Sequence, residues 1–298
     1  MTEKLFLQDL LNNPDKIGKL TSNQLLTILN QSKTLFKNEF VLLEFDYSHK
    51  KDEIYIIGDI HGNLGSLLKL IDEINKNKPK IVVFLGDIVD RGPYQLECFV
   101  IVLCLKLMSP NTYYLLKGNH ETLEMNKYYG FYTEFTHKFD DKELYDVVLS
   151  LYDVLPLCAI INKEILCLHG GIPEDFDILK KFKAIKSDEV YSNFKSFSSS
   201  ILQILWNDPK ETIIGFIESF RGPGIKFFGE DAFEKFMERN SLSFLIRAHE
   251  WFPEGFRWFF QNRLLSIFSS SNYRGEYNPN PASYAVICKG RINLKILH

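Results

Sequence analysis

Five short runs of strand-forming residues in this chain each stop abruptly at a small polar cluster, and that repetition limits the fold more than any other feature. The runs are Ile54-Tyr55-Ile56-Ile57, Ile81-Val82-Val83-Phe84-Leu85, Tyr113-Tyr114-Leu115-Leu116, Ile165-Leu166-Cys167-Leu168 and Phe244-Leu245-Ile246. They end, in order, at Gly58-Asp59-Ile60-His61-Gly62-Asn63, Gly86-Asp87-Ile88-Val89-Asp90-Arg91-Gly92, Gly118-Asn119-His120-Glu121, His169-Gly170-Gly171 and Arg247-Ala248-His249-Glu250. β-branched and aromatic runs of this length, bounded by glycine and polar residues, read as strands buried on both faces.

Helical patterns lie between them. Leu64, Leu67, Leu68, Ile71 and Ile74 recur at the spacing of one apolar helical stripe, and residues 93–107 form a second, more apolar helix after Pro93. Strand, loop, helix, strand predicts βαβ units, whose functional loops gather at the carboxyl ends of the strands. Rigid strand ends carrying Asp, His and Asn are what a metal centre requires.

The ligand types fit a dinuclear centre. Asp59, His61 and Asp87 would hold one ion; Asp87, Asn119, His169 and His249 would hold the other, with the Asp87 carboxylate shared. Two divalent ions carry four positive charges, two carboxylates and a hydroxide remove three, and the remaining positive charge favours an anionic phosphate. A nitrogen and oxygen set without cysteine suits manganese, iron or zinc better than copper or calcium.

These clusters, in order and spacing, resemble the signature of the PPP family of serine/threonine protein phosphatases, the group that includes protein phosphatases 1, 2A and calcineurin. Leu205-Trp206-Asn207-Asp208-Pro209, Arg221-Gly222 and Phe268-Ser269-Ser270-Ser271-Asn272-Tyr273-Arg274-Gly275-Glu276 resemble that family's later landmarks, so the likeness spans roughly residues 20–290. It implies a mixed α/β fold, a four-layer α/β/β/α sandwich of two mixed β-sheets flanked by helices, with the metals at the strand ends. It implies two divalent ions as cofactors and in-line attack on phosphorus by a hydroxide held between them. Arg91 and Arg221 match the phosphate-binding arginines, joined by Asn119 and by Tyr273 at the rim. His120 matches the group that protonates the leaving serine or threonine oxygen, and Asp90 the carboxylate that orients it. Phosphoproteins are the implied substrates, with regulatory or targeting subunits as partners.

A competing reading makes Asp90-Arg91 a surface ion pair and the histidines hydrogen-bonded structural groups. Four of the seven histidines fall in the five clusters, which weakens it; His49, His137 and His298 receive it. Cys167 and Trp206 are assigned to core packing. Hydrolysis of dinucleoside polyphosphates by relatives of the superfamily shares the first three motifs, but Trp206, Arg221 and Tyr273 count against it. An inactive binding module should have lost ligands, and none is missing. Departures from the better-known members are Arg274 where many carry cysteine, Ser270-Ser271 in place of Ala-Pro, and Asn63 in place of glutamine. They touch the substrate rim and the surface that toxins and inhibitors use.

The 298 residues are read as one catalytic domain, with auxiliary N-terminal helices over 1–45 and the sandwich core over 50–298. Thr21-Ser22-Asn23-Gln24 fits a capping box. From Arg263 onward, Ser283 to Cys288 and Arg291 to Leu294 suggest antiparallel strands joined at Lys289-Gly290. A net charge of −3 gives no sign of nucleic-acid binding, and no apolar stretch suggests a membrane segment. Five cysteines, an odd number without CxxC pairing, point to thiols in a reducing compartment, hence a cytoplasmic protein, with the nucleus left open.

Overall fold

A computed structural model describes residues 2–47, 52–192, 194–275 and 277–297; His49, Glu276 and His298 lie outside them. The chain opens with α1 (Glu3–Asn12), a 3-10 turn (Pro14–Lys19), α2 (Ser22–Lys37), β1 (Leu42–Phe45), β2 (Ile54–Ile57), α3 (Leu64–Asn77), β3 (Ile81–Phe84), α4 (Gln95–Met108) and β4 (Tyr113–Leu115). There follow α5 (Leu123–Tyr129), α6 (Phe131–Phe139), α7 (Lys142–Tyr152), β5 (Cys158–Ile161), β6 (Ile165–Leu168), α8 (Ile178–Phe182), α9 (Ser187–Ser192) and α10 (Phe194–Trp206). The last third holds β7 (Asp208–Pro209), β8 (Phe216–Glu218), β9 (Lys226–Phe228), α11 (Glu230–Arg239), β10 (Phe244–Arg247), β11 (Phe256–Phe259), β12 (Leu264–Ile267), β13 (Ala282–Cys288) and β14 (Arg291–Leu297).

All five expected strands form, and their side-chain alternation explains the layers. Along β2, Tyr55 and Ile57 pack with the helical cluster around α2, α4, α6 and α7, while Ile54 and Ile56 pack with Cys167, Ile246 and Leu265 of the second sheet. On β6 and β10 the other face, carrying Leu166, Leu168 and Leu245, meets Phe182, Ile204, Phe233 and Phe236 of the later helices. A strand with apolar residues at every position must be covered on both sides. The result is helices, sheet, sheet, helices, the four layers expected.

The sheet orders are β1-β5-β6-β10-β12-β11 and β14-β13-β2-β3-β4, with a small third sheet β7-β9-β8. Both large sheets are mixed: β2, β3 and β4 run parallel, as do β6, β10 and β12, while β13 pairs antiparallel to β2. The β13–β14 hairpin is antiparallel as expected, turning at Lys289 and Gly290, both at positive φ. Residues 42–45, within the stretch read as helical, instead form β1, which pairs parallel to β5. A four-residue Leu-Leu-Glu-Phe segment shows too little periodicity to separate helix from strand, and pairing decides it.

Local signals fix the helix ends. Thr21 and Gln24 form the capping box at α2, and the Asn63 carboxamide oxygen accepts the Ser66 N–H at α3. Central helix α4 is buried along nearly its whole length, so its one lysine needs partners: Lys106 binds Glu39 and the Pro110 carbonyl and lies over the Tyr114 ring. Cys167 is a core residue, as expected, and burial pushes the Cys104 thiol up to about 12. Among the described residues no helix is long and apolar enough to cross a membrane.

Candidate metal centre

Each of the five clusters leaves the carboxyl end of a parallel-paired strand, so candidate ligands 190 positions apart in the chain meet at one edge of the sandwich. The backbone must be brought unusually close for this. A Cβ on Gly86 would fall 2.3 Å from the Gly118 nitrogen, and one on Gly118 would fall 2.2 Å from the Asp87 carboxylate, so only glycine lets these two loops touch. Five non-glycine site residues, His61, Asp87, Asp90, Arg91 and His249, adopt φ between 48° and 73°. That left-handed conformation costs roughly 1–3 kcal/mol each and persists only where surrounding bonds impose it.

Asp87 sits at the centre. Its Oδ2 lies 3.3 Å from His169 Nε2, 3.6 Å from His61 Nε2 and 4.0 Å from His120 Nε2. Its Oδ1 accepts the His120 backbone N–H at 2.9 Å. Asp59 Oδ2 lies 3.7 Å from His61 Nε2, and Asp59 Oδ1 accepts the His249 N–H. Asn119 Oδ1 lies 2.8 Å from His169 Nε2 and 2.7 Å from His249 Nδ1. Two overlapping ligand groups result, His61–Asp87–His120 and Asp87–His169–His249, with Asp87 common to both.

The donor set fits divalent metal. His61 Nδ1 donates to the Val89 carbonyl at 2.9 Å and His169 Nδ1 to the Leu85 carbonyl at 3.0 Å, which turns both Nε2 lone pairs inward. His169 Nε2, Asn119 Oδ1 and Asp87 Oδ2 then crowd acceptor against acceptor, an arrangement that only a cation or an added proton relieves. Asp59 Oδ2 is buried beside His61 with no hydrogen-bond partner among the described residues, and so is His249 Nε2 on the side of Asp208. Such orphans are rare in a folded interior.

The charge balance holds Asp87, His61 and His249 in their metal-binding forms, while burial with the Asp87 charge shifts Asp59, and the Asp87 charge against burial shifts His169, towards protonation. Burial, then the Asp87 charge, pushes Asp59 up to about 6. Burial alone would raise Asp87, but His169, His120 and His61 outweigh it and hold the carboxyl far below its usual range. Burial, reinforced by His120, drives His61 down to about 3, and burial with the Arg221 charge holds His249 well below its ordinary value. Neutral imidazole and ionised carboxylate are the metal-binding forms.

His120 differs from the other members of these groups in its partner. Its Nδ1 lies 2.7 Å from Asp90 Oδ2, and although burial opposes it, the Asp87 charge and the Asp90 bond raise its pKa. Asp90, wholly buried, also accepts from Asn126 Nδ2 at 2.9 Å and from the Phe131 N–H. These are its partners in place of the Arg91 guanidinium, so the surface-pair reading fails. Arg91 is exposed, its guanidinium 3.9 Å over the Tyr129 ring and 5.7 Å from that of Tyr273. Tyr273 in turn stacks on His61 with centroids 5.2 Å apart. Arg221 enters from the small sheet, its Nε bound to Asp208 Oδ2 at 2.5 Å, and Asp208 is also gripped by the buried Arg247. All eleven site residues expected from sequence converge here, and Trp206, packed on the core as expected, also meets the His249 ring in a T-shaped contact with centroids 5.5 Å apart. His137 lies apart, exposed on α6.

Sequence reading missed the supports. Glu121 accepts the N–H groups of Asp87, Ile88 and Gly118, tying two ligand loops together; burial and then Asp87 push it up to about 7. Asn126 links Asp90 to the hydroxyls of Tyr145 and Tyr152. Asn280 takes the Tyr273 N–H and the Trp251 indole N–H and donates to the Ser270 carbonyl. Asn63 reaches Ser270 and Ser271, and Arg274 lies 4.1 Å over Trp251, so the three departures noted in sequence knit this loop to its neighbours. Only the position of Glu121 beside Asn119 and His120 hinted at its part.

The profile of the calcineurin-like phosphoesterase family matches residues 53–251, and the chain belongs to that family. Membership implies divalent metal ions and a phosphoesterase hydrolase activity. A protein serine/threonine phosphatase from Saccharomyces cerevisiae with similarity to human phosphatase PP5 is 27% identical, with the match covering 100% of this chain and 96% of that one at a TM-score of 0.84. A cold-active protein-tyrosine phosphatase of a psychrophile Shewanella species shares the fold at 16% identity and a TM-score of 0.62, over 89% of this chain and 84% of its own.

Proposed function

We propose that this chain is a metal-dependent protein phosphatase that hydrolyses phosphoserine and phosphothreonine monoesters. The observation that carries the reading is the buried Asp90–His120 pair, held beside the Asp87 carboxylate while Arg91 and Arg221 approach from the rim. Two divalent ions held by Asp59, His61, Asp87, Asn119, His169 and His249 would supply Lewis-acid activation of water and neutralise phosphate charge.

The remaining chemistry belongs to this chain's own groups. Arg91 and Arg221, with Asn119, grip the phosphoryl oxygens; a planar guanidinium offers two parallel donors that suit two oxygens at once. Asp90 fixes the proton on His120 Nδ1 and stabilises the imidazolium, so Nε2 carries the proton that the departing alkoxide needs. A serine or threonine alkoxide is a poor leaving group, which is where such a donor gains most. Tyr273, stacked on His61, closes the rim. The 27% identical yeast phosphatase supports the choice of serine and threonine esters. Manganese, iron and zinc all suit the donor set.

The test compares a phosphothreonine peptide with a dinucleoside polyphosphate as substrates, with Mn²⁺ added. Turnover of the peptide and neglect of the dinucleotide is expected. The opposite preference would assign the site to nucleotide hydrolysis, and inactivity on both would make it a binding module.

A further inference from the structure

The small sheet that carries Arg221's anchor has a second property. Strands β7, β9 and β8 lie side by side, with Asp208 opposite Phe227 and Phe227 opposite Ile217. Directly opposed residues project from the same face of a sheet. Asp208, Phe227 and Ile217 therefore share one face, and it is the face turned to the metal site, since Asp208 there holds Arg221 and lies 3.9 Å from His249 Nε2. The alternate row, Pro209, Phe228 and Phe216, faces the other way, with Phe228 and Phe216 packed in the core.

Beyond the buried Asp208, the row is apolar and opens outward, Phe227 half-buried and Ile217 exposed. Phe220, the residue before Arg221, is 87% exposed and lies with its ring 5.4 Å from that of Phe227; Ile217 is 41% exposed on the edge strand. Lys210 Nζ lies 4.7 Å from the Phe227 ring centroid. An aromatic side chain left so largely in water buries little surface in the fold, and it sits next in sequence to Arg221. Exposed apolar patches of this kind mark contact surfaces.

We infer that Phe220, Phe227 and Ile217 form a specificity platform that takes a large apolar side chain of the phosphoprotein substrate, a few residues from the phosphorylated serine or threonine. This rests on the phosphatase reading above. The occupant follows from continuity: a peptide whose phosphate is held by Arg221, and which leaves the site on that side, passes over the sheet face on which Arg221 is anchored. Strands are spaced about 4.8 Å apart, so Ile217 lies roughly 10 Å from Asp208. An extended peptide advances about 3.3–3.6 Å per residue, which places the apolar side chain about three residues from the phosphoresidue, on one side only.

The experiment measures kcat/KM on phosphothreonine peptides of serine and glycine background, with a single phenylalanine placed at each of four positions on either side. The readout is the ratio of the best phenylalanine peptide to the parent within each enzyme, so any general loss of activity cancels. A wild-type preference of about 10-fold is expected, confined to one side, because one large apolar contact is worth about that factor. Phe220→Ser and Ile217→Ser should each bring the ratio towards one. Both residues are exposed, so both variants are expected to fold, and thermal melting of each verifies it. A wild-type ratio near one at every position overturns the platform while leaving the phosphatase reading intact. So does a preference that survives both substitutions. Hydrolysis of p-nitrophenyl phosphate without hydrolysis of any peptide overturns the phosphatase reading and the platform with it. A flat ratio together with a concentration-dependent dimer that Phe220→Ser dissolves would assign the face to a second copy of this chain.

Discussion

The floor of the site and its rim are built by different means. On the floor, the candidate metal-ligating side chains leave strand ends and are held by further buried bonds: His61 by the Val89 carbonyl, His169 by the Leu85 carbonyl, Asp87 by the His120 N–H. At the rim, Arg91 rests on the face of one tyrosine, Tyr273 lies on His61, and Arg221 hangs on a single carboxylate. The floor is thus fixed by directional bonds in a dry interior, and the rim by stacking and one ion pair at more open positions. Geometry on the floor should fail all at once when broken, whereas the rim should weaken by degrees.

Substitution of Asp87 is the harshest test. Asp87→Asn removes the carboxylate charge shared by both ligand groups and should reduce kcat/KM by more than about 10³-fold while metal content falls below two ions per chain. Two bound ions with near-normal turnover would erase the distinction between floor and rim. Next comes His120, which geometry places near Asp87 and chemistry assigns to proton transfer. His120→Asn should cost about 10²–10⁴ in kcat on alkyl phosphates and clearly less on aryl phosphates, whose leaving groups need little protonation. Metal content decides its side of the comparison: unchanged ions make it a proton donor, and lost ions make it a ligand.

The rim variants should behave differently. Arg91→Ala and Arg221→Ala are each expected to lower kcat/KM about 10- to 100-fold, the worth of a charge-assisted hydrogen bond, with metals and melting temperature nearly unchanged. Lysine at either place should recover only part, because it keeps the charge without the two-pronged geometry. Loss of metal in either variant would show that floor and rim are one unit. The smallest kinetic change should come from behind the floor. Asn126→Ala leaves the Asp90 carboxylate and the Tyr145 and Tyr152 hydroxyls short of a partner, which should cost about 1–3 kcal/mol of stability, read by denaturant titration. An unaltered unfolding midpoint would mean that water replaces Asn126 without penalty.

Floor and supports also differ in how plainly the amino-acid sequence displays them. The strands and their polar endings are legible because four or five consecutive β-branched or aromatic residues allow few other outcomes, and because the Asp, His and Asn clusters recur where those runs stop. The groups behind the ligands are not legible. Glu121 works through three backbone N–H groups, two of them more than 30 residues away, and Asn126 through tyrosines 19 and 26 residues on; neither leaves a periodic trace. Strands β7, β8 and β9 span two or three residues each, too short for alternation to register, so the sheet that anchors Arg221 is invisible in the sequence although Arg221 itself is not. The four residues of β1 merge with the helical N-terminus for the same reason.

The left-handed backbone at His61, Asp87, Asp90, Arg91 and His249 has a bearing on how this chain could be engineered. Glycine or asparagine would sit more comfortably at each of these corners, so a laboratory selection scored on heat resistance alone would be drawn towards them. Such a search would tend to trade the working site for a sturdier shell. Any campaign to toughen this scaffold therefore has to keep turnover in the screen from the first round, and is best aimed at the loops and helices far from the strand ends.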